Sequence, residues 1–162
     1  MRRVMLSLVV SVPMVFGSGH NSPRPSITGL RIHLFCDATG QFTDDVTAIP
    51  NLDKWDPTTG GGGAPCASSA VMLVWAVQGE PGVYYGDWNL RYHVRRERRA
   101  EAERGDPDEG TIRLGTADGA GSLFVPLLLH DTGCDLVRVG VMIGNAPPAH
   151  ETILPFHCIR VT

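Results

Sequence analysis

The residues of this sequence that could carry chemistry are scattered and form no recognised catalytic motif. His130 and Asp131 are adjacent, but no G-x-S-x-G elbow surrounds the hydroxyls of Ser68 and Ser69. A secreted hydrolase that uses His130 with Asp37 or Asp131 is one hypothesis, and it requires these side chains to converge in one cleft. Because no other pattern supports a reaction, we expect a protein that is not an enzyme and has no catalytic residues.

Acidic residues gather in one long polar loop, a composition that suits calcium. Asp37, Asp44 and Asp45 lie at its start, and Asp53 and Asp56 follow. Their spacing does not match an EF-hand, and the six histidines form no H-E-x-x-H pattern. We therefore predict no metal site and no cofactor.

Four aromatic residues lie in or beside predicted loops: Trp55, Tyr84, Tyr85 and Trp88. Exposed rings on a β-domain are suited to contact sugars or a protein partner. We treat these four as the candidate binding surface, and carbohydrate binding would require the rings to share one exposed face. The alternative is that the rings pack their loops onto the domain.

The four cysteines indicate two disulfides. Cys36 and Cys66 flank the long polar loop, whereas Cys134 and Cys158 flank a predicted hairpin. These positions favour the pairs Cys36–Cys66 and Cys134–Cys158. The competing pairing, 36–158 with 66–134, would join distant strands, and the sequence alone does not choose between them.

The first 19 residues have the organisation of an export signal. Arg2 and Arg3 precede an apolar run over 5–16, and small residues follow at 17–19. The apolar run is too short to cross a bilayer as a helix. We expect a periplasmic or extracellular protein, and membrane contact only if residues 1–19 are retained as an anchor or packing element.

The rest of the chain predicts an all-β domain over 27–162, after an extended lead-in at 20–26. Apolar residues alternate with polar ones in several short runs, which are separated by glycine- and proline-containing turns. About seven strands arranged in this way favour a two-sheet antiparallel β-sandwich, immunoglobulin-like or similar. The continuous apolar run Ala70–Val77 predicts a central strand covered on both sides, and Pro126 either places Leu123–Leu129 at a sheet edge or marks a bulge. The predicted strands are 27–35, 70–77, 88–94, 111–114, 123–129, 136–143 and 152–161.

The charge distribution gives no electrostatic reason to expect nucleic-acid binding, because the net charge is −3. The most charged segment, 95–104, holds five arginines and three glutamates, which suits a solvated hairpin better than a basic arm or a short surface helix. The predicted function is therefore an exported interaction module, or a subunit of a cell-envelope or extracellular assembly. We expect it to bind a protein partner or to self-assemble.

Overall fold

Two antiparallel sheets of four strands each make up the described part of the protein. The structure is a computed structural model, and it describes residues 23–50, 52, 55–56, 58–97, 108–130, 136–144 and 150–155. Among these residues no helix is long and apolar enough to cross a membrane. The strands are β1 (Ser26–Cys36), β2 (Gln41–Phe42), β3 (Ser68–Gln78), β4 (Asn89–Glu97), β5 (Asp108–Arg113), β6 (Ser122–His130), β7 (Leu136–Ile143) and β8 (His150–Pro155).

The strand order is β2-β1-β3-β6 in the first sheet and β5-β4-β7-β8 in the second. Every described pair is antiparallel, so the predicted all-β class with two antiparallel sheets is confirmed. The seven predicted strands each overlap an observed strand, and the two-residue β2 is additional. Pro126 lies in β6, which is an edge strand as predicted.

One hydrophobic core joins the inward faces of the two sheets, which gives the molecule a sandwich-like build. Trp75 of β3 and Leu90 of β4 are among its fully buried members. Polar contacts also join the sheets. The Arg24 guanidinium donates to the Ile143 carbonyl at 2.6 Å, and His150 Nε2 lies 3.2 Å from the Ile27 carbonyl.

A disulfide closes the long segment between the end of β1 and the start of β3, which includes β2. Cys36 and Cys66 form a disulfide with their Cα atoms 5.5 Å apart, which confirms the first predicted bridge. Cys134 and Cys158 lie outside the described residues. Between the bridged cysteines, the buried Asp56 carboxylate accepts hydrogen bonds from the backbone N–H and hydroxyl groups of the two threonines that follow Pro57.

Gly60, the first of four consecutive glycines in this segment, makes close contacts. Gly60 has a φ of 70°, and a Cβ there would lie 2.9 Å from the Cys66 carbonyl carbon. A side chain at residue 60 would therefore be strained by both the backbone conformation and the approach of the bridge. Glycine lets the chain turn tightly against the disulfide.

The free edge of β1 is covered by the segment that contains and follows β2. The Thr43 N–H donates to the Leu34 carbonyl at 2.9 Å, and the Val46 N–H donates to the Ile32 carbonyl at 2.8 Å. Burial alone would raise the pKa of Asp45 in this segment. Hydrogen bonds from Thr47 and Ile32, with a contribution from the nearby His33, outweigh that effect and lower the pKa.

Candidate functional site

The outer face of the first sheet is unusually apolar for a surface that no other described layer covers. Its apolar side chains project away from the core at consecutive outward positions of neighbouring strands. We call this set the apolar face. It comprises Phe35, Phe42, Met72, Val74, Ala76, Phe124, Pro126 and Leu128.

The register of the strands makes the apolar face continuous. Met72 pairs with Leu128, and the next outward pair along β3 and β6 is Val74 with Pro126. At the far end of the face, the rings of Phe35 and Phe42 contact each other edge-on with centroids 5.3 Å apart. Side chains on adjacent strands lie close enough to form one surface rather than isolated spots.

Several members of the apolar face are strongly exposed. The exposed fractions are 51% for Phe124, 43% for Leu128 and 42% for Phe42. Single exposed apolar residues are common on proteins, whereas a contiguous apolar patch is a candidate interaction site. The apolar face is contiguous, which makes it the candidate site of this protein.

The outer face of the second sheet provides an internal comparison, because it is polar. Arg138 of β7 lies 3.0 Å from Glu97 and 3.8 Å from Glu151, in an exposed ion-pair network. Near it, an open pocket of about 310 Å³ contains His93, whose ring lies over Gly140. The two outer faces therefore differ in kind, since only that of the second sheet has the composition of an ordinary solvated surface.

Three basic side chains, Arg31, His33 and His130, lie at outward positions of the first-sheet strands, and Asp45 of the segment beside β1 lies near His33. The Arg31 guanidinium lies over the Phe124 ring, 5.2 Å from its centroid, and His33 Nδ1 lies 2.9 Å from the Thr43 carbonyl. His130 is exposed at the end of β6. The outward positions of the first-sheet strands carry no carboxylate.

The four aromatic residues of the predicted binding surface do not form one exposed surface. Trp55 and Tyr85 are buried in the core, Trp88 is half-buried against it, and only Tyr84 is largely exposed. Tyr85 is held by its hydroxyl, which accepts a hydrogen bond from the Glu80 N–H at 2.7 Å. Three of the four rings pack inward, so the shared exposed face that carbohydrate binding would require does not form, and Tyr84 is the one ring of the four that is left on the surface.

The residues of the hydrolase hypothesis are only partly described, and those that are do not form a catalytic arrangement. Asp37 Oδ1 accepts hydrogen bonds from the Ser69 N–H at 3.1 Å and the Ser69 hydroxyl at 2.6 Å. Within the described ranges, no hydrogen bond joins the His130 imidazole to a carboxylate. Asp131 lies outside them. The Asp37–Ser69 contact fixes the start of β3 against the end of β1.

The acidic loop also lacks the geometry of a metal centre where it is described. Asp45 accepts hydrogen bonds from the backbone and the hydroxyl of Thr47, and Asp56 is similarly occupied by its neighbouring threonines. No group of three potential metal ligands occurs among the residues that the structure covers. Asp53 lies outside that part of the chain.

The sequence contains a signal for the apolar face. The continuous run Ala70–Val77 predicted a strand covered on both sides, and β3 is indeed central in its sheet. Its outward side chains, however, have no second described layer above them. The sequence signal for this surface is a strand that is apolar on both faces although a described layer packs against only one of them.

Comparison with known proteins assigns no family: no protein-family profile and no curated protein matches this chain.

Proposed function

We propose that this is an exported, non-enzymatic protein that docks another protein through the apolar face. The observation that carries the proposal is the exposure of Phe124, Leu128 and Phe42 on one continuous sheet surface. Burying apolar area is the main favourable term in protein association. The polar outer face of the second sheet supports assigning the contact to one side of the domain.

Export is supported by two independent features. The sequence of residues 1–19 suits an export signal, and the Cys36–Cys66 bridge is compatible with an oxidising compartment. We retain Cys134–Cys158 as a proposed second bridge. β7 begins two residues after Cys134 and pairs with β8 in an antiparallel hairpin, which favours their proximity. An immunoglobulin-like topology remains our proposal for the type of sandwich.

The features of the first sheet favour a partner that binds the apolar face over a partner that adds a strand to a sheet edge. Proline has no N–H and is accommodated in an edge strand with its nitrogen toward solvent, so Pro126 interrupts the free edge of β6. The opposite edge is covered by residues 41–47. Because neither edge is suited to pairing with another strand, the apolar side chains are the surface that a partner can bury.

Site-specific photo-crosslinking in the producing cells tests this proposal. A photoreactive phenylalanine analogue replaces Leu128 in the full chain, and the matched control carries it at Ile153. Ile153 is 48% exposed and lies on the second sheet, so the two positions have similar accessibility. We expect a discrete protein adduct from residue 128 only, which mass spectrometry then identifies for reconstitution with purified components.

A second variant confirms that the adduct depends on the face. Phe124→Ser with Leu128→Ser changes exposed side chains, so the free energy of unfolding is expected to change by less than about 1 kcal/mol. Binding of the reconstituted partner is expected to weaken at least tenfold. Equal crosslinking from residues 128 and 153, or unchanged binding by a folded double variant, would show that the apolar face is not the docking surface.

A further inference from the structure

We propose that the partner presents an apolar segment with at least one carboxylate, which pairs with Arg31 at the centre of the apolar face. This inference rests on the proposed docking function and adds the chemistry of the partner. Its basis is the combination of a continuous apolar surface with Arg31, the one arginine on the strands of the first sheet.

The charge of Arg31 is opposite in sign to that of the protein as a whole. The complete chain has a net charge of −3 with histidines counted as neutral, and Arg31 is the one arginine within the four strands of the first sheet, which contain no lysine and no acidic residue. Complementary charge steers partners and excludes those of the wrong sign. An apolar face with an arginine at its centre therefore favours a partner that brings a carboxylate to it.

Arg31 is placed where a docked partner must meet it. Its residue position is in line with Val74 and Pro126, midway along the face, and its guanidinium reaches over β3 to Phe124. A partner that covers Phe124 would also remove the guanidinium from water. Such burial is unfavourable unless a carboxylate pairs with the arginine, and the planar guanidinium is suited to bind one through two hydrogen bonds.

A second copy of the chain fits this surface less well. Its own apolar face provides no carboxylate to pair with Arg31, so two such faces would bring only basic groups together. The strand positions from Ala70 to Ala76 also span only about 20 Å, and adjacent strands lie about 4.8 Å apart. That extent suits a peptide-sized segment better than the roughly 800 Å² per partner of a standard stable interface.

Selection from a random 12-residue peptide library displayed on phage tests the partner chemistry. The immobilised full-length protein is the target, and the Phe124→Ser/Leu128→Ser variant removes peptides that bind elsewhere. We expect the selected peptides to contain apolar residues together with an enriched aspartate or glutamate. Synthetic peptides then allow replacement of each acidic residue by its amide.

A double-mutant cycle assigns the carboxylate to its partner. We expect the peptide amide to bind the unmodified protein about tenfold more weakly, which corresponds to about 1.4 kcal/mol. The same replacement should have little effect on binding to Arg31→Gln. Arg91→Gln is the matched control, since Arg91 is an exposed arginine on the outer face of the second sheet, and it should retain the tenfold difference.

The outcomes separate this inference from the proposed function. Face-dependent peptides without acidic residues, or a tenfold effect that persists in Arg31→Gln, would overturn the carboxylate pairing and leave docking on the face intact. A concentration-dependent dimer in sedimentation that Phe124→Ser/Leu128→Ser abolishes would identify a second copy as the occupant, and face-dependent binding to phosphatidylglycerol vesicles would identify a membrane. Either result would overturn the inference, and the absence of any face-dependent binding would overturn both proposals.

Discussion

Removal of the Cys36–Cys66 bridge should destabilise the protein without changing its fold. The bridge joins residues separated by 30 positions. In the chain-entropy description, closing a loop of that length stabilises the folded state by about 3.6 kcal/mol at 25 °C, chiefly by restricting the unfolded chain. The loop has its own native contacts, because Val46 and Trp55 are buried in the core. We therefore expect Cys36→Ala/Cys66→Ala to fold with the loop in place.

Urea unfolding at equilibrium measures this effect through two parameters. The free energy of unfolding should fall by about 3 to 4 kcal/mol relative to the unmodified protein. The dependence on urea concentration should become steeper, because an unbridged unfolded chain exposes more surface. A loss below about 1 kcal/mol with an unchanged slope would refute an unfolded-state mechanism. A loss of the stated size with an unchanged slope would instead indicate that the bridge acts through native packing.

Three smaller perturbations test other parts of the structure. Asp56→Ala removes a buried acceptor of four hydrogen bonds and should lower the free energy of unfolding in urea by about 2 kcal/mol. The loss should be no larger, because the exposed threonine donors can partly return to water. An unchanged free energy of unfolding would show that these hydrogen bonds do not stabilise the loop. Gly140→Ala would place a Cβ 2.0 Å from His93 Cε1, so the ring should rotate away at a cost below about 1 kcal/mol, with displaced His93 ring resonances in NMR spectra as the readout. Because the pKa of Asp45 is lowered in the folded state, the ionised carboxylate stabilises the fold at pH values above the ordinary pKa of 3.8, and this stabilisation is lost as the pH falls through the folded pKa. Asp45→Asn should thus have a smaller free energy of unfolding than the unmodified protein at pH 7. The difference in free energy of unfolding between the two proteins should disappear in acid.

The strand pattern could be read from the sequence because alternation is a local property. In β6, Leu123, Val125 and Leu127 are buried while Phe124 and Pro126 are exposed, as a period of two requires. The sequence also favoured the Cys36–Cys66 bridge, since both residues flank one long polar loop, and the structure decided between the competing pairings. These features depend on neighbours in the sequence or on one loop closure.

The burial of the loop aromatic side chains could not be predicted from neighbouring residues. Trp55, Tyr84, Tyr85 and Trp88 have similar loop contexts, yet their burial ranges from nearly complete to slight. The difference depends on which loop folds back over the core, and this is a long-range contact. Composition gives the same expectation for all four residues.

What the sequence by itself determined is the all-β class and the position of most strands, because periodicity and turn chemistry act over a few residues. It favoured the Cys36–Cys66 pair and left the competing pairing open. Only the tertiary structure decided which apolar side chains remain outside the core. Met72 and Leu73 are adjacent and both hydrophobic, but the pleat directs Leu73 onto the second sheet and Met72 away from it. Whether an outward side chain is then covered depends on the presence of another layer, and local sequence carries no information about that layer.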